Sequence, residues 1–71
     1  MPAEELKPRD WRIMELVADG LSNAEIARKI NCTIETTKNY LVQILDHTGM
    51  DNRTGLALWY TARQMRGEIP Q

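Results

Sequence analysis

The sequence predicts an all-α domain of four helices. Apolar residues recur at steps of three and four in four successive segments, and cap and stop residues stand between those segments. No stretch alternates apolar with polar residues as a half-buried strand would.

Residues 1–6 read as a polar arm, 7–67 as the folded domain and 68–71 as a short tail. Pro8 suits the first turn of a helix, where the N–H it lacks would be unpaired anyway. In "PRDWRIMELVADG" the positions Ile13, Met14, Leu16, Val17 and Ala18 keep helical spacing, and Gly20 stands where a left-handed C-cap belongs. A first helix over about 8–19 follows.

"LSNAEIARKI" comes next, with Ser22 and Glu25 in capping-box spacing, the serine oxygen accepting from the backbone while the glutamate reaches back. Ala24, Ile26, Ala27 and Ile30 give this short second helix one apolar face, whose small alanines let it approach a neighbour closely. "NCT" breaks the pattern, and Thr33 is an N-cap for a third helix over about 34–48, ended by Gly49. Thr37, Leu41, Ile44 and Leu45 fall on one side of it. After the connector "MDN", Asn52 caps a fourth helix, "RTGLALWYTARQMR", stopped by Gly67 and Pro70.

A chain of 71 residues holds one small domain, and a domain of this size buries only about 60% of the surface its unfolded chain exposes. Pocket enzymes are disfavoured, because there is room for a single core and no deep substrate cavity. Cys32 is the only cysteine and His47 the only histidine, which excludes an internal disulfide and a Cys/His zinc site. No activated nucleophile, metal set or acid/base pair can be assembled, so neither enzymatic activity nor a cofactor is expected. No apolar run is long enough to span a membrane, and "MPAEELKPRD" lacks the features of a secretion signal. A cytoplasmic protein with no membrane partner is the expectation.

Three further residues read as structural. Trp11 is expected to pack half-buried, Cys32 to be a small buried residue of the turn before the third helix, and His47 to be a surface residue compatible with a helix C-terminus.

About three residues join the second and third helices, the connection of a helix-turn-helix. With Leu41, Ile44 and Leu45 turned inward, Glu35, Lys38, Asn39, Val42 and Asp46 lie on the opposite face of the third helix. Lysine donates to guanine or phosphate, asparagine pairs bidentately with adenine, and valine touches a thymine methyl. Thr33 and Thr36 at the helix start suit phosphate, which the helix dipole also favours there. By spacing alone the same residues also fit an ordinary solvated face.

The stretch "LKPRDWRIMELVADGLSNAEIARKINCTIETTKNYLVQILDHTGMDNRTGLAL" resembles the LuxR-type (GerE-like) helix-turn-helix domain of bacterial regulators over about residues 6–62, with "GLSNAEIARKI", "TTKNYL" and "NRT" as its most specific pieces. The resemblance implies a sequence-specific transcriptional regulator that binds double-stranded DNA as a homodimer. Its third helix would enter the major groove and its fourth would pair the subunits. Carried over by position, Lys38, Asn39 and Val42 face the bases, while Ser22, Asn23, Thr33, Thr36, Asn52 and Arg53 contact phosphates. The family usually carries a receiver or ligand-binding domain ahead of this one, so the chain is expected to be either a free-standing regulator or an effector segment of a longer protein. In relatives a threonine precedes the proline where Lys7 stands, a glutamate stands at Asp10, a polar or basic residue is common at Val42, and a capping glutamate is common at Gly55. The first helix should therefore lack a side-chain cap on Lys7, and glycine lowers the helix propensity of the fourth.

Apolar residues go most of the way around the fourth helix, through Leu56, Leu58, Trp59, Tyr60 and Ala62. A helix apolar on so many sides of so small a domain needs cover, so Leu58, Trp59 and Ala62 are expected in a homodimer contact. Spacing leaves open which of Leu56 and Trp59 points inward.

The net charge is -1, and segment 22–48 holds three basic residues (Arg28, Lys29, Lys38) against three acidic. One subunit alone should gain little from phosphate neutralisation, and a dimer would read half-sites about 10 base pairs apart or a multiple of that. The acidic balance also supports a rival expectation, a protein-interaction module of the same fold that binds another regulator or RNA polymerase.

Overall fold

The computed structural model describes residues 6–70; residues 1–5 of the expected arm and residue 71 of the tail lie outside the described residues. The described chain folds into four helices and no strand: α1 (Pro8–Ala18), α2 (Asn23–Ile30), α3 (Ile34–Thr48) and α4 (Arg53–Met65). α1 and α4 each end one residue earlier than their sequence patterns suggest, a difference within ordinary fraying of helix ends.

Each helix start is closed by the chemistry at hand. Ser22 Oγ accepts from the Glu25 amide at 3.2 Å while the Glu25 carboxylate accepts from the Ser22 amide at 2.8 Å. Thr33 Oγ1 accepts from the Thr36 amide at 3.0 Å, and Asn52 Oδ1 from the Gly55 amide at 2.8 Å. At α1 the Lys7 ammonium has no lone pair to offer. Asp10 nevertheless reaches back, its Oδ2 accepting from the Lys7 amide at 2.9 Å, so half of a capping box survives on the shorter acid.

The turn between α2 and α3 closes through Asn31, the only described non-glycine residue with positive φ, at 61°. Asparagine tolerates this left-handed conformation better than most side chains. The Cys32 amide can then donate back to the Ala27 carbonyl at 2.9 Å. Cys32 itself is half-buried rather than buried, its sulfur 3.1 Å from Thr37 Oγ1.

α1 supplies the centre of the core through Ile13, Met14, Leu16 and Val17, against Ile26 of α2, Leu41 and Ile44 of α3, and Leu56 and Tyr60 of α4. α1 touches every other helix and lies most extensively along α4, while α2 packs mainly on α3. Ile13, Met14, Ile26, Ile44 and Leu56 are sealed from solvent, and each side chain of this kind contributes about 1.5–3 kcal/mol on burial. Because α1 braces α2 and α3 together, the opposite side of α3 is left to solvent.

The structure settles the inward residue of α4. Leu56 is fully buried, while Trp59 is half-buried and stacks on Trp11 with centroids 5.9 Å apart. Leu6 at the end of the arm and Ile69 in the tail also pack on the core. The tail is turned by Gly67 at φ 72° and by the Glu68 amide donating to the Arg63 carbonyl at 2.8 Å. The Glu68 carboxylate holds the turn through Arg63 and Arg66 at 3.3 and 3.1 Å, and those arginines, Arg66 foremost, lower its pKa.

Candidate nucleic-acid interface

The candidate surface is the outer face of α3 and the helix starts around it. Lys38, Asn39 and Val42 are all exposed, Val42 to 65%, and Glu35, Gln43 and Asp46 share their face. Inward, Thr37 and Ile44 are sealed and Leu41 is buried, so the helix cannot rotate to hide this face without exposing its core. Thr37 is buried because its hydroxyl is satisfied, donating to the Thr33 carbonyl at 3.0 Å. Lys38 makes no ion pair among the described residues, and its ammonium stays available to an anion.

The expected phosphate contacts divide into two groups. Thr33 and Thr36 lie together at the start of α3, with the Thr33 hydroxyl donating to Thr36 Oγ1 at 2.9 Å. That leaves the Thr36 hydroxyl hydrogen without a partner among the described residues, beside the positive end of the helix. Ser22 and Asn52 are exposed, but each spends its oxygen on a cap. The cap bond at Ser22 also lowers the pKa of Glu25, first through the backbone amide and then through the hydroxyl.

Arg53 and Asn23 are engaged with each other. Arg53 Nη1 donates to Asn23 Oδ1 at 2.6 Å, and Nη2 donates to the Leu21 carbonyl. The half-buried guanidinium thus ties the start of α4 to the start of α2. Nothing in the local pattern points to this contact, because the partners are 30 and 32 positions apart.

A second cluster joins two local contacts to one that spacing could not show. Asp10 is buried at 7% exposure, and besides the Lys7 amide it accepts from Arg9 Nε and Nη2 at 3.3 and 3.1 Å. Arg9 in turn lies over the ring of Tyr40 on α3, its guanidinium carbon 4.0 Å from the centroid.

On α4, Leu58 is 67% exposed, Ala62 is exposed, and Met65 at 82% extends the same row by steps of four and three. Sequence reading missed Met65, although its spacing from Leu58 was there to be used. Trp59 lies to one side of this row, held between α1 and α4 by Trp11, with the Arg63 guanidinium carbon 4.2 Å from its ring centroid.

Among the described residues no group of three or more His, Cys, Asp or Glu side chains is placed to hold a metal ion. No described helix is long and apolar enough to cross a membrane. His47 is exposed at the end of α3, and Trp11 is half-buried.

Residues 4–60 match the family described as bacterial regulatory proteins, luxR family. The chain is 41% identical over 49 residues to a probable transcriptional regulator, ycf29, of Pyropia yezoensis, covering 69% of this chain and 22% of that protein. It is 34% identical over 59 residues to the transcriptional regulatory protein LiaR of Bacillus subtilis, covering 83% of this chain and 28% of LiaR. With the nitrate/nitrite response regulator protein NarL of Escherichia coli K12 it shares 34% identity over 55 residues, covering 78% of this chain and 26% of NarL. The chain therefore spans about a fifth to a third of the length of these relatives. No solved structure matches it significantly.

Proposed function

Because the chain belongs to the luxR family of bacterial regulatory proteins, we propose that it is a sequence-specific DNA-binding transcriptional regulator of the cytoplasm that acts as a homodimer. α3 enters the major groove and α4 pairs the subunits. The observation that carries this reading is the exposed Lys38–Asn39–Val42 face on the second helix of a tight helix-turn-helix. Those three side chains offer a cation, a bidentate amide and a methyl-sized apolar contact, the three means by which a major groove is read.

Thr33 and Thr36 hold the phosphate at the start of α3, and Ser22 and Asn52 contribute their remaining hydrogens from the starts of α2 and α4. Arg53 and Asn23 serve the same surface mainly by fixing how those helix starts sit together. The row Leu58–Ala62–Met65 covers itself against a second copy, with Trp59 at its margin packing on α1. In a longer regulator, this surface is the output that a preceding receiver or ligand-binding domain would control.

A second reading is favoured by Glu35 and Asp46 beside the exposed Val42, a combination that also suits a protein partner such as another regulator or a polymerase. Selection from a random duplex library separates the two. Fluorescence titration of the enriched site at two salt concentrations then compares the wild type with Lys38→Ala. A two-fold-symmetric site, bound less tightly at higher salt and weakened by about 1–3 kcal/mol in the variant, is the expected result. No enriched site, with wild type and variant binding equally poorly, turns the search to a protein partner.

A further inference from the structure

We propose that Tyr40 and Arg9 form a phosphate-binding edge alongside the reading face, the Tyr40 hydroxyl donating to a backbone phosphate oxygen and the Arg9 guanidinium supplying charge to the same strand. The inference rests on the DNA-binding reading above and adds two residues, one from α1, to the surface that serves it.

Tyr40 follows Asn39 on α3 and lies one turn beyond Thr36, so Thr36 and Tyr40 form one row along the helix. Both are half-buried, which marks this row as the border between the core face and the exposed reading face. A recognition helix seated in a groove brings such a border to the phosphates that line it. The Tyr40 side chain is half-buried, and its hydroxyl has no hydrogen-bond partner among the described residues. A phenol placed there can donate to phosphate at no internal loss.

The ring is also held in position from behind. Arg9 lies 4.0 Å over its centroid, Asp10 Oδ1 fixes Arg9 at 3.3 and 3.1 Å, and Asp10 Oδ2 is fixed by the Lys7 amide at 2.9 Å. This relay runs from the start of α1 to the flank of α3, and it removes much of the side-chain freedom that binding would otherwise have to freeze. Asp10 occupies only Nε and Nη2 of the guanidinium, leaving both Nη1 hydrogens without a partner among the described residues. The Arg9 side chain remains 36% exposed, enough to meet an anion from solvent.

A contact to the DNA backbone differs from simple packing of α1 on α3 in a measurable way. Packing uses the ring and the guanidinium over it, and only phosphate binding uses the hydroxyl. The test is fluorescence titration of the full chain against its selected duplex and an unrelated duplex of equal length, at two salt concentrations. Tyr40→Phe keeps the ring and is expected to weaken binding to both duplexes by one common factor of about three- to tenfold, with an unchanged salt slope. Arg9→Gln is expected to weaken both and to lower the slope by about 0.9 per subunit. Lys38→Ala, the internal control, should lose more on the selected duplex than on the unrelated one.

If Tyr40→Phe titrates like the wild type while Lys38→Ala is weakened, the edge is refuted and the DNA-binding reading stands. A loss confined to the selected duplex also refutes it, because phosphate contacts carry no sequence. If the wild type binds no duplex, both fall. Thermal melts of each variant accompany the titrations, and should Arg9→Gln fail to fold, Tyr40→Phe decides alone.

Discussion

Two leucines two positions apart on α4 make opposite predictions. Leu56 is fully buried in the core, whereas Leu58 is 67% exposed on the row proposed to meet a second copy. Leu56→Ala removes a sealed side chain from a packed core, a change that costs about 2–5 kcal/mol once the cavity is included. A chain of 71 residues has a total stability of about 3.5–10 kcal/mol on the usual per-residue scale. The substitution therefore consumes a large part of the whole. At about 4–8 °C per kcal/mol for domains of this size, Tm should fall by about 10 °C or more.

Leu58→Ala gives up only the buried third of a leucine, less than about 1 kcal/mol, and gains slightly in helix propensity. Its effect should appear in assembly instead. In a two-fold dimer the residue is lost twice, so about 1–2 kcal/mol per copy raises the dimer Kd by about thirtyfold or more. Circular-dichroism melts at concentrations below dimerisation, paired with sedimentation velocity across a concentration series, separate the two effects. The reasoning fails if Leu58→Ala destabilises the dilute monomer as much as Leu56→Ala does. It fails equally if the wild type dimerises and Leu58→Ala leaves that equilibrium unchanged.

Two further substitutions probe the tie between helix starts and the glycine of α4. Arg53→Met removes both donors of the link to Asn23 and the Leu21 carbonyl, and should cost about 1–3 kcal/mol in chemical denaturation with little change in the salt slope of DNA binding; an unchanged stability with a slope lower by about one would mean that Arg53 serves phosphate instead. Gly55→Ala would place its Cβ 3.5 Å from Asn52 Oδ1 and 3.6 Å from the Met50 sulfur, ordinary contacts at a helical position, so a gain of about 0.5–1 kcal/mol and a Tm higher by a few degrees are expected, and a loss would show that the start of α4 is already strained.

What the sequence made legible was local. Ser22, Thr33 and Asn52 each sit next to the amide they cap, and Leu41 and Ile44 repeat at the helical period, so caps, helices and the inward side of α3 could be read directly. The exposed Lys38, Asn39 and Val42 follow from the same period, being what that inward side leaves behind. Contacts between helices were not legible. Arg53 looked like a free cation beside a helix start until α2 was placed against it, and Arg9 gave no sign of the Tyr40 ring. Leu56 and Trp59 were ambiguous for a related reason: periodicity gives a direction around the helix axis but not what stands there. Trp11 decided it by taking up Trp59 at the margin of the core, leaving the centre to Leu56.

The same distinction between sum and placement bears on the charge of the chain. A net charge of -1 speaks against nucleic acid only if the charges act as one sum. Salt screens exposed charges beyond about 10 Å at ordinary ionic strength, so what counts is the part of the surface near the phosphates. Residues 6–70 carry nine basic against eight acidic side chains. Among those acids, Asp10, Glu15 and Glu68 are paired with arginines, and Glu25 is turned to its own helix cap. Glu35 and Asp46 remain beside the proposed reading face, where they oppose close approach to a phosphate backbone that offers Lys38 and Asn39 no matching bases. If α3 is the reading helix proposed above, such a face should bind arbitrary duplex weakly, and because discrimination is the ratio of specific to non-specific affinity, weakness there is itself a source of selectivity. On the proposed reading, an acidic balance that first reads as an objection to DNA binding thus becomes a reason for such a face to require the right site and a second subunit.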